Sequence, residues 1–423
     1  MSYGVAASDD DGTGPEEGSA YRPVARNRLW SRLDRAVAAY DAPLATPLVV
    51  VDLDAFDANA DDLVRRAAGV PIRVASKSVR VPALLERVLA RPGFHGVLAF
   101  TLAEALWLEE HGVSDDLLVA YPSVDRDAFA RLVASPRAAD RITVMVDSFE
   151  HLAVIDSVRS SHAVPVRVAI DVDAGLRLGP AHVGPKRSPL HSPDQVLDLA
   201  RAVQARDGFR LVGVMTYEGQ VAGLPDAVPT RRARSLVVRG LKSASSSQIT
   251  ARRRAIADAL AELGGLELWN AGGSGSIEDS AQDPVVTEVS AGSGLMVPTL
   301  FDHYRSFSPR PAAFYGLPVT RRPGRGMVTV HGGGLVASGP AGADRLPLPW
   351  APAGLHLLPL EGAGEVQTPL AGPGADHLAI GDLVWFRHAK SGELFEHTTT
   401  AHLLHGDRIV EQATTYRGHG LAF

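Results

Sequence analysis

Apolar residues recur along this chain in two alternating rhythms. Pro47-Leu48-Val49-Val50-Val51-Asp52 is a continuous apolar run, as expected of a strand covered on both faces. Residues 54–68 follow with the 3.6-residue spacing of an amphipathic helix. The same couple repeats: a strand at 72–76 and a helix at 81–90, then 96–100 with 102–111, 117–121 with 125–134, and 143–147 with 149–158. Strands at 166–171 and 211–217 each lead through a longer loop into helical sequence, and a run at 266–270 closes the series. These eight strand candidates, nearly all separated by helices, predict a parallel sheet closed into a (β/α)8 barrel. The other fold compatible with the rhythm is an open doubly wound sheet. The count of eight and the lack of an early GxGxxG favour the barrel.

The flanks differ. Residues 1–24, rich in Gly, Ser and acidic side chains around Asp9-Asp10-Asp11, read as a disordered tail. Leu29, Trp30, Leu33 and Val37 predict a helix over 26–40. Residues 25–308 are then the barrel. Residues 309–423, rich in Gly, Pro, Val and Thr with runs such as Val328-Thr329-Val330-His331 and Leu383-Val384-Trp385-Phe386, predict a C-terminal all-β domain. The arginines between 231 and 254 read as a solvated helical face, and Ser243 to Ser247 as a surface loop interrupting it.

Composition narrows the chemistry. The 423 residues carry a net charge of −6, which argues against a nucleic-acid partner, and hold no cysteine, which excludes disulfides and thiolate ligands. The start of the chain has no basic stretch leading into an apolar one, and no apolar run is long enough to span a bilayer, so a cytoplasmic protein without a membrane partner is expected.

In a barrel, function gathers where strands end. One such end places Lys77 after Ile72-Arg73-Val74-Ala75-Ser76. A lysine at the mouth of a buried strand suits imine chemistry if desolvation or neighbouring cations such as Arg73 and Arg80 lower its pKa. The bland alternative is a surface lysine in a loop. Another end reads Asp173-Ala174-Gly175-Leu176-Arg177-Leu178-Gly179, and the next Tyr217-Glu218-Gly219-Gln220. The last strand runs into Gly272-Gly273-Ser274-Gly275-Ser276, with Gly292-Ser293 soon after. Glycines there let the backbone approach a phosphate, and the Ser274 and Ser276 hydroxyls can bind its oxygens. A nucleophilic lysine and a phosphate cradle in one barrel suggest a cofactor that is both aldehyde and phosphate, pyridoxal 5′-phosphate. A Schiff-base aldolase acting directly on a phosphorylated sugar uses the same pieces but leaves the β-domain unexplained.

These residues carry a resemblance. The stretch from Thr46 to Ala55, then Arg73 to Lys77, the 173–179 motif, Tyr217 to Gly219 and the 272–276 loop resemble, in order, the fold-type III pyridoxal-phosphate enzymes of the alanine racemase superfamily. The nearer likeness is to the D-threonine aldolase and D-serine dehydratase branch, in particular to actinobacterial amino acid deaminase/aldolase chains around Arg387-His388-Ala389-Lys390-Ser391-Gly392-Glu393. The resemblance implies that Lys77 holds the cofactor through an imine. It implies that Gly272, Gly273, Ser274, Gly275 and Ser276, with Gly292 and Ser293, hold the phosphate. Tyr217 would lie close to the ring and Arg177 near the pyridine or its phenolic oxygen. Catalytic roles fall to Lys77, Tyr217 and His388, on a small amino acid substrate, in a homodimer.

Two departures stand out. The branch binds a divalent metal through a His and a Cys or Asp two residues later. Here His388 is a candidate metal ligand, but Lys390 stands in the second place. Glu393, Glu396 and His397 are possible substitutes, and the Lys390 ammonium could replace the metal's charge. The branch's Tyr-Gly-His stretch has Gln220 for the His. The implied function is a lyase acting on a β-hydroxy amino acid, D-configured, by retro-aldol cleavage or by dehydration with release of ammonia. The alternatives are a racemase or epimerase, and a pyridoxal-phosphate-binding protein without turnover.

Overall fold

The computed structural model describes residues 21–42, 44–159, 164–223, 225–227, 232–304 and 310–423. Eight parallel strands close a barrel: Ile72–Ala75, Phe94–Ala99, Leu117–Val119, Ile142–Val146, Val166–Asp171, Phe209–Thr216, Leu268–Ala271 and Glu288–Ala291. The third and fourth of these are buried at every position, which explains their unbroken apolar sequence. Leu117 and Val119 point outward into the large core beneath the helices. Leu118 points inward and joins Met145, Ala169, Met215 and Leu268 in a cluster of its own inside the barrel. The helices outside start where side chains cap them: Asp52 accepts from the Asp54 and Ala55 N–H groups, and Ser192 and Gln195 form a capping box at Pro193–Gln204.

Two expectations about the barrel change. The strand Leu48–Asp52 is real but lies outside it, pairing antiparallel with Ala313–Gly324 and parallel with Thr400–His405. The eighth place in the barrel goes instead to Glu288–Ala291, which pairs with Ile72–Ala75. The glycine loop at 272–276 therefore follows the seventh barrel strand, and the Gly292-Ser293 turn follows the eighth.

The second domain is a nine-stranded sheet built from both ends of the chain. The helix Pro23–Ala38 packs on it through Leu33 and Ala36, against Leu48, Val50, Phe314, Trp350, Trp385 and Leu404. The Trp30 indole donates to the Leu383 carbonyl. Residues 1–20 of the expected tail lie outside the described residues. Tyr21 does not belong to a tail, since its ring meets Trp350 edge to face at 5.4 Å. The expected boundary at 308/309 also lies outside the described residues.

The basic region is one continuous helix, Arg232–Leu260, with no loop at Ser243 to Ser247. Ser245 is fully buried and accepts from the Gln220 amide. Arg253 is not solvated either. It is 3% exposed and bonds Thr216, Glu218 and Asp283.

Candidate active site

The N-terminal end of the barrel is plugged by charge. The Arg73 guanidinium is buried between Glu288, at 2.7 Å, and Asp116, at 2.9 Å, and Asn270 donates to Glu288 as well. Burial alone would raise the Glu288 pKa, but Arg73 holds it down at about 2. His95, 3.5 Å from Asp116 and 3.2 Å from Glu288, is pushed up to about 9 by these carboxylates. Arg73 is thus spent at the end of the barrel opposite to Lys77 and is not among the cations that act on it.

Lys77 stands at the other end, in a single 3-10 turn, Ser76–Ser78, that closes the first barrel strand. Its side chain is open to the mouth, and the ammonium donates to the Tyr121 hydroxyl at 2.9 Å. Tyr121 follows the third barrel strand, and the Arg187 guanidinium lies 5.6 Å from the centre of its ring. Burial raises the Tyr121 pKa, but the charges of Lys77 and Arg187 outweigh it and the net shift is downward. Arg80 donates to the Lys77 carbonyl and pairs with Glu396 of the β-domain.

The two glycine turns meet beside that lysine. The Ser78 and Ser293 hydroxyls are 3.3 Å apart. The Ser274 hydroxyl accepts from the Gly292 and Gly294 N–H groups, joining the loop after the seventh strand to the turn after the eighth. Both turns need glycine. A Cβ on Gly275 would lie 2.2 Å from the Ala222 carbonyl oxygen, and one on Gly292 2.5 Å from that of Ala75. Gly272 has φ +82°. The Tyr217 ring lies over Gly273, where a Cβ would come 3.4 Å from it, and burial pushes its hydroxyl up to about 12.

A buried carboxylate organises this cradle. Glu218 is 3% exposed and accepts from the Ser276 and Ser280 hydroxyls, the Gly272 N–H and the Arg253 guanidinium. The Ser276 hydroxyl is therefore committed inward and is not offered to a phosphate, as its sequence position suggested. Among the described residues, the Ser274, Gly275 and Ser293 N–H groups have no internal hydrogen-bond partner. A glycine-forced cradle with three adjacent donors, a few residues from an amine, suits a phosphate-bearing aldehyde.

Arg177 lies at the rim of the mouth, on a hairpin of Leu176–Leu178 and Ala181–Val183, where Asp173 holds it at 3.0 Å. Among the described residues no hydrogen bond links it to Lys77 or to the glycine turns. Asp171 closes the fifth barrel strand. Burial, with the charge of Asp147, pushes its carboxyl up to about 7.

The loop after Leu383–Arg387 seals one side of the mouth. Its Ser391 hydroxyl bonds the Ser293 carbonyl, and Gly392 abuts the Lys77 backbone. His388 begins this loop, accepting through its carbonyl from the Thr299 N–H. Its ring is 3% exposed, and neither nitrogen has a well-aligned hydrogen-bond partner. Burial and the adjacent Arg387 lower its pKa to about 3, so it is neutral at pH 7. Lys390 pairs with Glu393 at 3.0 Å and donates to Ser338. Glu396, named as a substitute metal ligand, is taken by Arg80 and Arg417. Among the described residues no cluster of three or more His, Asp or Glu is placed to hold a metal ion.

Tyr121, Arg187, Glu218 and Arg253 were not singled out as site residues from the sequence. Tyr121 carried a detectable signal, since it ends a barrel strand. Arg253 sits in a helix full of arginines, and nothing local marks it.

An amine and two glycine turns with open N–H groups at the C-terminal mouth of a parallel barrel, closed by a β-domain, are the pieces that imine chemistry on a phosphate-bearing aldehyde requires. Residues 51–298 match the alanine racemase N-terminal domain, and the chain belongs to that family of pyridoxal 5′-phosphate enzymes. It is 30% identical over 260 residues to a D-threonine aldolase from Arthrobacter sp, a match covering 59% of this chain and 62% of that protein. The chain thus spans less than two thirds of the length of this curated relative. The fold is similar to that of D-threonine aldolase from Filomicrobium marinum (TM-score 0.72, 19% identity, 90% of this chain and 96% of that one). It is also similar to D-threo-3-hydroxyaspartate dehydratase from Delftia sp. HT23 (TM-score 0.69, 20% identity, 88% and 97%). These likenesses agree with the branch that the sequence motifs resemble.

Proposed function

We propose that this chain is a pyridoxal-phosphate-dependent lyase acting on a D-configured β-hydroxy amino acid, by retro-aldol cleavage or by dehydration with loss of ammonia. The observation that carries it is the meeting of the Lys77 turn with the two glycine turns, through Ser78, Ser293 and Ser274. The relatives supply the substrate class, because one is a D-threonine aldolase and another a D-threo-3-hydroxyaspartate dehydratase.

Lys77 would hold the cofactor, and the N–H groups of Ser274, Gly275 and Ser293 its phosphate, with Gly272, Gly273 and Gly292 giving the backbone room. When bound, pyridoxal phosphate supplies the aldehyde that captures the substrate amine and the ring that draws electrons from a bond at Cα. Tyr217 would cover one side of that ring. Lys77 would also be the amine able to take or return a proton at the substrate, with the Tyr121 hydroxyl, which accepts from it at 2.9 Å, keeping its nitrogen in place. His388, whose ring nitrogens have no well-aligned partner, would accept the β-hydroxyl proton. The loop at 388–393 would exclude water by covering the mouth on that side.

The test is a substrate profile. The protein, reconstituted with pyridoxal phosphate, is incubated with D-threonine, L-threonine, D-serine and D-threo-3-hydroxyaspartate, and glycine, keto acid and ammonia are measured. Turnover of at least one D-substrate is expected, together with a visible cofactor band that Lys77→Ala abolishes. If no β-hydroxy amino acid yields product, the assignment is wrong.

A further inference from the structure

The structure assigns Arg80 as a positioning residue: its guanidinium bolts the Lys77 turn to the β-domain, so that capture of an aldehyde cofactor by Lys77 depends on how that domain is seated. The part concerning capture rests on the cofactor reading given above, and the part concerning the turn does not.

Arg80 breaks a local rule. Its φ is +55°. In that left-handed region a Cβ crowds the following carbonyl oxygen, and glycine is the residue that enters it without strain. Strain of this kind persists where the surrounding contacts over-determine the backbone. At Arg80 the side chain makes those contacts. Its Nε donates to the Lys77 carbonyl at 2.9 Å, and the same guanidinium pairs with Glu396 at 2.5 Å and lies 5.2 Å from the centre of the Phe100 ring. The backbone is tied down as well. The Arg80 N–H donates to the Ser76 carbonyl at 2.9 Å, and the Arg80 carbonyl accepts from the Tyr416 N–H at 3.1 Å. A glycine would make both backbone bonds with less strain. What it lacks is the group that joins residue 77 to residue 396.

The points that Arg80 joins come from separate parts of the chain. Lys77 lies in the turn that closes the first barrel strand, Glu396 in the turn Glu393–Glu396, and Tyr416 just beyond the strand Arg408–Thr414. Each β-domain point has its own anchor. Glu396 also pairs with Arg417. The Tyr416 hydroxyl donates to the buried Glu104 at 2.7 Å, and Glu104 accepts from the Phe100 N–H at 2.7 Å. The backbone of Lys77 is therefore referred to the β-domain, whereas the glycine loop at 272–276 is organised by Glu218 inside the barrel. A ligand gripped both by the amine and by the cradle binds well only when the two grips stand at the right separation. A ligand gripped by the cradle alone has no need of Arg80.

That difference supplies the test. Pyridoxal 5′-phosphate and pyridoxine 5′-phosphate share the ring and the phosphate, but the second carries an alcohol in place of the aldehyde. Both are titrated by calorimetry into the apoproteins of the wild type, Arg80→Gly and Arg80→Lys, and the visible band is followed for the aldehyde. Arg80→Gly is expected to raise Kd for the aldehyde at least about tenfold and to leave Kd for the alcohol within about twofold. Arg80→Lys keeps the charge but not the fork that spans Lys77 and Glu396, and is expected to show the same selective loss to a smaller degree. In the apoprotein, hydrogen exchange of the peptides covering 76–80 and 393–396 is expected to be at least about tenfold faster in Arg80→Gly. Glu396→Gln added to Arg80→Gly is expected to change little further, since the two residues act through one contact.

Equal loss of affinity for aldehyde and alcohol would make Arg80 a structural residue only and would overturn the proposal. So would wild-type capture and exchange in Arg80→Gly, which would show that only the backbone matters at this position. If Arg80→Gly does not fold, the same comparison in Arg80→Lys decides. A wild type that forms no band with pyridoxal phosphate sinks the cofactor reading, and the exchange rates then decide whether Arg80 holds the turn.

Discussion

Gly392 of the β-domain lies against the backbone of Lys77: a Cβ at position 392 would sit 1.9 Å from the Lys77 carbonyl oxygen, and the glycine has φ +89°. The turn that carries the Lys77 amine is thus clamped from outside the barrel at a position where only a glycine fits. Gly392→Ala meets both a steric and a conformational penalty, expected to cost about 2 kcal/mol or more. A lower melting temperature and weaker retention of the cofactor band should appear together. Wild-type values of both would show that the clamp is not needed.

Glu218 offers a different test of the cradle. Gln in its place keeps the shape but turns an N–H2 group toward hydroxyls that donate to the carboxylate, and leaves Arg253 short of charge. Breaking a buried, hydrogen-bonded charge pair costs about 3–5 kcal/mol. The prediction for Glu218→Gln is a loss of that size in denaturant unfolding of the apoprotein. A titration with pyridoxal phosphate should show at least a tenfold rise in Kd. A Kd within twofold of wild type would mean that the loop holds its form without the carboxylate.

Arg73 separates stability from chemistry. Its guanidinium neutralises Glu288 and Asp116 inside the barrel floor. Arg73→Ala strands the buried Glu288 and should destabilise the fold by about 3–5 kcal/mol. The position and pH dependence of the cofactor band should not move, because the charge lies at the far end from Lys77. A shifted band would restore Arg73 as an electrostatic neighbour of the amine.

The sign of a pH effect follows from Asp171, whose carboxyl sits at about 7 in the folded apoprotein. Because the folded pKa is raised above the ordinary carboxylate value, the folded state keeps its proton where the unfolded chain has lost one. This group therefore favours folding at low pH, and its contribution declines as pH rises from about 4 to about 7. Asp171→Asn removes the dependence. Relative to wild type, the variant should gain stability across that interval and level off above it, as read from melting temperatures at a series of pH values. A difference that stays flat with pH would place the Asp171 titration in the ordinary range.

What could be read in the sequence depended on whether the signal was local. Leu117–Val119 and Ile142–Val146 were legible because burial on both faces forces an apolar residue at every position. Glu288–Ala291 escaped notice because Glu288 and Ser290 serve the polar network with Arg73 and Asn270 and break the apolar run. Leu48–Asp52 was legible as a strand but not in its sheet, since its partners lie at 313–316 and 402–404. Ser243 to Ser247 reads as a loop by propensity, yet packing against Gln220 carries the helix through it. Lys77 and the glycine turns stood at strand ends, where the sequence marks them, and the structure brings them together. The bond from the Ser276 hydroxyl to Glu218 was not legible, because that partner is distant in sequence and unmarked by any pattern.

The strand Leu48–Asp52 joins its sheet between segments from the far end of the chain. During synthesis it leaves the ribosome before the whole barrel, yet its hydrogen-bonding neighbours come only after the barrel is made. The two halves of the enzyme are therefore interlocked rather than strung in series, and a clean genetic cut between them does not exist. A fragment ending near residue 300 would keep every barrel strand but expose Val49 and Val51 along an open edge, a ready template for aggregation.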